Sequence, residues 1–223
     1  MLVVCAGMMR SGSTVQRQIV SALLDYYHAG QTITPIDLQQ FRDNYVRWAE
    51  YEKLVCYKIH QFVDLYALGQ RVKVLSTVRN VNDVVVSSAH FEGRPIETIL
   101  EAGSWRHSFW NFYQWKLNTP AAQFYVSHYQ NLVDDLPKCV HQIGLFLGLP
   151  ITLDASEEVA AQCSLTANMM RAAAGLPIGN AAFMAKRHIY TAGSHSNELT
   201  EEQIAYLQPW QTWWQETLDA YLI

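Results

Sequence analysis

Cysteine is scarce and scattered: Cys5, Cys56, Cys139 and Cys163 form no CxxC pair and sit at no metal-ligand spacing. That pattern argues against a disulfide framework and predicts reduced, mostly buried thiols in a cytoplasmic protein. Long apolar runs are missing too, since nothing approaches the roughly 20 residues of a membrane span. Met1 to Ala6 is apolar, but it has no basic segment and runs straight into a glycine turn. It reads as a first strand rather than a signal peptide, and a soluble chain without a Golgi anchor is expected. Positive charge is in deficit, with 16 Lys and Arg against 20 Asp and Glu. A surface that tracks nucleic acid along its length is therefore not expected.

Hydrophobic residues, by contrast, make up half of the 223 positions, enough for a substantial core in a single domain spanning residues 1–223. The aromatic supply is generous, and most of it is expected in that core. A dense stretch of Trp105, Phe109, Trp110, Tyr113 and Trp115 reads as core first and as acceptor-pocket lining second.

Strand and helix signals alternate. Leu2–Ala6, Leu54–Ile59, Val72–Val78 and Gln123–Val126 are short apolar or β-rich runs of the kind found in buried parallel strands. Helices are predicted from Thr14 to Tyr27, after Thr34-Pro35, from Val81 behind an Asn80 cap, across Gly93 to Lys116, over Leu136 to Leu147, and after the Thr200-Glu-Glu-Gln203 capping box. Gln61–Leu68 is long enough for a short crossover helix. The pattern implies an α/β fold, three layers with a central parallel sheet, and ligands at the carboxyl ends of its strands.

The motifs fall on that edge. Gly7-Met-Met-Arg-Ser-Gly-Ser-Thr14 has the glycine spacing and final hydroxyl of a Walker A loop, but Ser13 stands where a nucleoside triphosphatase places lysine. By itself the loop reads equally as a phosphate cradle or as an ordinary strand-to-helix turn. Farther along, Arg79-Asn-Val-Asn-Asp-Val-Val-Val-Ser87 ends a strand and opens a helix, so an arginine and a hydroxyl can converge on one phosphate. Lys58 and His60, in Tyr57-Lys-Ile-His60, point to the same side of an extended chain.

These segments resemble the cytosolic sulfotransferases. Arg-Asn-x-x-Asp-Val-x-Val-Ser with a trailing His90-Phe91 is similar to that family's 3′-phosphate segment, and Arg10-Ser-Gly-Ser-Thr14 to its Lys-Ser-Gly-Thr-Thr loop. The resemblance implies a P-loop-type sulfotransferase fold and a donor, 3′-phosphoadenosine-5′-phosphosulfate (PAPS), that leaves as 3′,5′-bisphosphoadenosine (PAP) without a metal. It implies that Arg10, Ser11, Gly12, Ser13 and Thr14 hold the 5′ side and that Arg79 and Ser87 hold the 3′-phosphate. It further implies that Tyr129, in Tyr129-Gln-Asn-Leu132, lies near adenine, and that Arg187 belongs to a basic strip closing over the 3′-phosphate.

His60 resembles the family's base in Lys-x-His, with Lys58 and Arg10 stabilising charge at the sulfuryl group. The acceptor is expected to be a hydroxyl or amine of a small molecule, aromatic or natural-product-like. The chain departs from the family where Arg10 replaces lysine, where Val15 replaces a tryptophan, and where Gly193-Ser-His195 stands for Gly-x-Trp. The competing readings are a P-loop small-molecule kinase and a catalytically silent nucleotide-binding relative.

Overall fold

A computed structural model describes residues 1–33, 37–174 and 196–220. In chain order its strands are β1 (Leu2–Cys5), β2 (Gly30–Thr32), β3 (Leu54–Lys58), β4 (Val72–Val78) and β5 (Phe124–His128). The helices are α1 (Ser13–Tyr26), α2 (Leu38–Ala49), α3 (Val81–Glu92), α4 (Ile96–Ala102), α5 (Arg106–Asn118), α6 (Tyr129–Asp134), α7 (Leu136–Leu147), α8 (Leu153–Cys163), α9 (Leu165–Ala173) and α10 (Glu201–Asp219).

The strands form one parallel sheet in the order β2-β3-β1-β4-β5. β1 lies at its centre, with Val4 opposite Tyr57 on one side and Val74 on the other. Strand side chains alternate between faces, so β1 feeds two cores. Leu2 and Val4 pack with Phe41, Tyr57, Val74, Phe109, Phe112 and Trp214. Val3 and Cys5 pack with Ile19, Leu23, Leu75, Val140 and Ile143 on the opposite face. Helices on both faces cover the sheet, and β1, β3 and β4 are buried along nearly their whole length, which is why these strands read as near-continuous runs rather than alternating ones. Among the described residues no helix is long and apolar enough to cross a membrane.

Several expectations change in detail. Gln61–Leu68 is not an α-helix; the chain is irregular there and makes only a 3₁₀ turn over Tyr66–Arg71. The amide of Phe62 is taken by Asn111 Oδ1 (3.0 Å) and that of Tyr66 by Asp64 Oδ1 (2.9 Å). Side chains thus satisfy donors that helix formation needs. The long helix expected over Gly93 to Lys116 is divided into α4 and α5 at Gly103, whose φ of 63° suits glycine and ends α4 with a bond to Ile99 O. The first helix after β2 is capped by Asp37, whose side chain accepts from Gln40 N; Thr34 and Pro35 lie outside the described residues. Asn80 caps α3 as expected, accepting from Asn82 N and Asp83 N. The Thr200–Gln203 capping box opens α10.

Candidate active site

At the carboxyl end of β1 the chain stays beside β4 for a few residues, as Ala6 N bonds Leu75 O (2.7 Å) and Met8 N bonds Thr77 O (3.2 Å). It then folds back as a loop into α1. Ser11 is fully buried, and its hydroxyl lies within hydrogen-bonding distance of Met8 O (2.7 Å) and Thr77 Oγ1 (2.5 Å). Its side chain therefore closes the loop, which leaves its backbone rather than its hydroxyl to meet a ligand. Gly12 sits at φ 86° at the start of α1, and a Cβ there would press on Leu132 at 3.0 Å and Tyr129 at 3.1 Å. Both the backbone conformation and the close approach demand glycine.

The first turn of α1 has no capping side chain and no acidic residue, and Gln16 N is the first amide to bond back, to Gly12 O. The amides before it have no partner within the helix and carry the positive end of its dipole, the usual requirement for an anion cradle. Buried Gln16 holds this turn against the sheet through Ser76 O (2.8 Å) and Ser127 Oγ (3.0 Å). Nothing in its helical position singles it out in the sequence; the bonds are made to strands 60 and 111 residues away.

Lys58 ends β3 and donates to Thr14 Oγ1 (2.8 Å). Burial lowers its pKa to about 8, with further contributions from the Arg17 and Arg10 charges. Two residues on, His60 Nδ1 lies 2.7 Å from Gly7 O. Burial, reinforced by the Lys58 charge, lowers the His60 pKa to about 4, so the imidazole is neutral near pH 7. A carbonyl oxygen can only accept, so Nδ1 must carry the proton and Nε2 keeps its lone pair.

On the other side of the loop stands α3. Arg79 is 8% exposed, its Nη1 donates to Arg10 O (3.2 Å), and its guanidinium lies 3.9 Å from the Tyr129 ring centroid. Its carbonyl accepts from Trp214 Nε1 (3.1 Å), which ties α10 to the start of α3. Arg10, itself at φ 63°, sends its side chain towards α3, where Nε donates to Ser87 Oγ (3.1 Å) and the guanidinium lies 4.5 Å from the Phe91 ring centroid. Arg79 and Tyr129 also border a pocket of about 240 Å³, together with Asp83, His128, Gln211 and Trp214.

Arg10, Ser11, Gly12, Thr14, Lys58, His60, Arg79, Ser87 and Tyr129 therefore gather along one sheet edge, linked by the contacts above, and Ser13 opens α1 between Gly12 and Thr14. Arg187, with Gly193 and His195, lies outside the described residues. Of the aromatic stretch, Trp105, Phe109 and Trp115 are core. Trp110 is exposed and lines a groove of about 500 Å³ with Arg106, Trp210 and Trp213.

Known structures share this arrangement of elements. Mouse sulfotransferase SULT7A1, solved with PAP, superposes with a TM-score of 0.70 at 17% identity, covering 99% of this chain and 88% of that one. A retinol dehydratase solved with androsterone and inactive cofactor PAP gives 0.65 at 16%, covering 97% and 80%. Sulfotransferase STF1 from Mycobacterium tuberculosis H37Rv gives 0.51 at 14%, covering 73% and 71%. At these identities the likeness is one of fold. Comparison with curated proteins finds no match. The sulfotransferase domain model, however, matches residues 2–219, so the chain belongs to the sulfotransferase family.

Proposed function

We propose that this sulfotransferase moves the sulfuryl group of PAPS to a hydroxyl of a small-molecule acceptor, with His60 as the base. The observation that carries the reading is the placement of His60, whose Nδ1 is committed to Gly7 O so that Nε2 is left as a proton acceptor; burial, which lowers its pKa to about 4, keeps the ring neutral near pH 7. Its position two residues after Lys58, which itself reaches the first turn of α1, puts a base and a cation beside the same anion cradle.

In the reaction, the acceptor oxygen forms a bond to sulfur as the bridging S–O bond to the 5′-phosphate breaks. His60 Nε2 takes the acceptor proton, and the bond's electron pair leaves on the phosphate of PAP. Lys58 and the amides at the start of α1 stabilise the charge that builds on the sulfuryl oxygens and the departing phosphate. Arg79 and Ser87 hold the 3′-phosphate, and Tyr129, against which Arg79 is stacked, flanks the nucleotide.

The PAP bound by the mouse sulfotransferase and the androsterone bound by the retinol dehydratase support a nucleotide donor and a compact, largely apolar acceptor. Four cysteines, all buried and none disulfide-bonded, support a reducing, cytoplasmic setting. The test is transfer of label from PAPS to a panel of phenols, alcohols, amines and sugars. Labelled product with at least one hydroxyl acceptor is expected; absence of both donor binding and transfer would overturn the reading.

A further inference from the structure

The aromatic stretch of α5 is buried on one side only. Trp115, which meets Phe62 two residues beyond His60 with ring centroids 5.2 Å apart, lies on a different face of α5 from Arg106 and Trp110. That second face turns to α10, where Arg106, His107, Trp110, Pro209, Trp210 and Trp213 line a groove of about 500 Å³ that shares no residue with the catalytic edge. The volume is that of a small-molecule site. Trp110 is 56% exposed, yet its ring is braced: Tyr113 lies 5.7 Å from it and 6.2 Å from Trp213. A cation borders these rings. The Arg106 guanidinium lies 5.3 Å from the Trp105 ring centroid and 5.1 Å from that of Trp210, and its Nη2 donates to Tyr206 Oη (2.6 Å). Its Nε is buried without a hydrogen-bond partner, and among the described residues Arg106 pairs with no carboxylate. The indoles and Tyr206 thus fix a positive charge beside an apolar groove whose lining carries no acid.

We propose that this groove binds a small aromatic monoanion, with its ring against Trp110 and Trp213 and its charged group on Arg106. An aryl sulfate and an aryl carboxylate share that chemistry. Each presents a flat ring that packs on indole surfaces and a set of oxygens that a guanidinium meets with charge-assisted hydrogen bonds. A neutral aromatic molecule would fill the groove but leave the Arg106 charge unanswered, whereas a small anion without a ring would leave Trp110 in water. The site is separate from the catalytic edge and does not depend on the donor proposed above. Where the anion is an aryl sulfate, the groove holds the class of product that the proposed reaction releases from a phenol, and that one consequence rests on the proposed function.

The experiment is a calorimetric titration of the native protein, Arg106→Met and Trp110→Ala with 2-naphthyl sulfate, 2-naphthoate and neutral 2-naphthol, at low and at high salt. Arg106→Met is expected to weaken both anions about tenfold while 2-naphthol changes less than about twofold. Trp110→Ala, at an exposed position, is expected to weaken both anions about 3- to 10-fold without lowering the thermal unfolding midpoint. High salt should weaken the anions and spare 2-naphthol. Preference for the sulfate over the carboxylate would mark a product of sulfuryl transfer as the occupant, and the reverse an aryl carboxylate of other origin. Anion binding that both variants leave unchanged would put the ligand elsewhere and overturn the proposal. Loss of 2-naphthol in step with the anions on Arg106→Met would remove the charge from the recognition and overturn it too. Absence of anion binding would do the same, whether or not the native protein self-associates through Trp110.

Discussion

His60 Nδ1 lies 2.7 Å from the carbonyl oxygen of Gly7, the first residue of the phosphate loop. One hydrogen bond thereby joins the proposed base to the proposed anion cradle and selects the imidazole tautomer. The loop cannot shift without moving the base, and the base cannot use Nδ1 for anything else.

That bond and the buried setting predict an unusual pH profile. Burial lowers the His60 pKa to about 4 and that of Lys58 to about 8, and the proposed reaction needs the first neutral and the second charged. For the free enzyme kcat/KM should stay level from about pH 5 to 7, fall towards pH 4 as His60 protonates, and fall above pH 8 as Lys58 loses its proton. An acid limb near 6.5, the ordinary histidine value, would contradict this account of His60.

The same depressed pKa makes a stability prediction with a definite sign. Between pH 4 and 6.5 the unfolded chain protonates His60 while the folded chain does not, so the unfolded state binds more protons and stability rises with pH through that window. His60→Asn should flatten the slope between pH 4 and 6.5 in denaturant titrations. An unchanged slope would show that His60 is not the group responsible.

In the proposed reaction Lys58 acts on charge that develops during transfer. Lys58→Met removes the cation and the bond to Thr14 while keeping most of the side-chain volume. It should lower kcat about 10²- to 10³-fold and change the PAP dissociation constant much less. A rise in KM for donor with kcat intact would mean that Lys58 serves binding alone.

Gly12 is a position where a side chain meets both an unfavourable backbone conformation and close neighbours. At φ 86°, with Leu132 and Tyr129 already at 3.0 and 3.1 Å from a built Cβ, Gly12→Ala should destabilise the fold by about 1–3 kcal/mol. It should also weaken PAP binding, because Tyr129 must give way. Thermal or denaturant unfolding measures the first effect and titration the second.

Local chemistry made much of this molecule legible in the sequence. The apolar run of β1, the glycines of the loop, the Asn80 cap and the Thr200–Gln203 box are encoded within a few residues, and each appears where the pattern puts it. Family resemblance carried the choice of ligand, because the loop alone is ambiguous. What stayed hidden was non-local. β2 is three residues long and exists as an edge strand through its pairing with β3, and its own residues carry no strand pattern. The segment after His60 lost its expected helix to side chains of Asp64 and distant Asn111. The direction taken by Arg10 depends on Ser87, 77 residues later; a motif read along the loop places it with its neighbours instead. The outward face of the α5 aromatic stretch, likewise, could be told from the buried one only after α10 was packed against it.

The most direct test of the central claim is single-turnover transfer of labelled sulfuryl from PAPS, measured side by side for the native protein and His60→Ala at equal donor occupancy. The account predicts that His60→Ala binds PAP within about threefold of the native protein yet transfers label about 10²- to 10⁴-fold more slowly. Transfer by His60→Ala at the native rate, with the donor bound equally well, would contradict it.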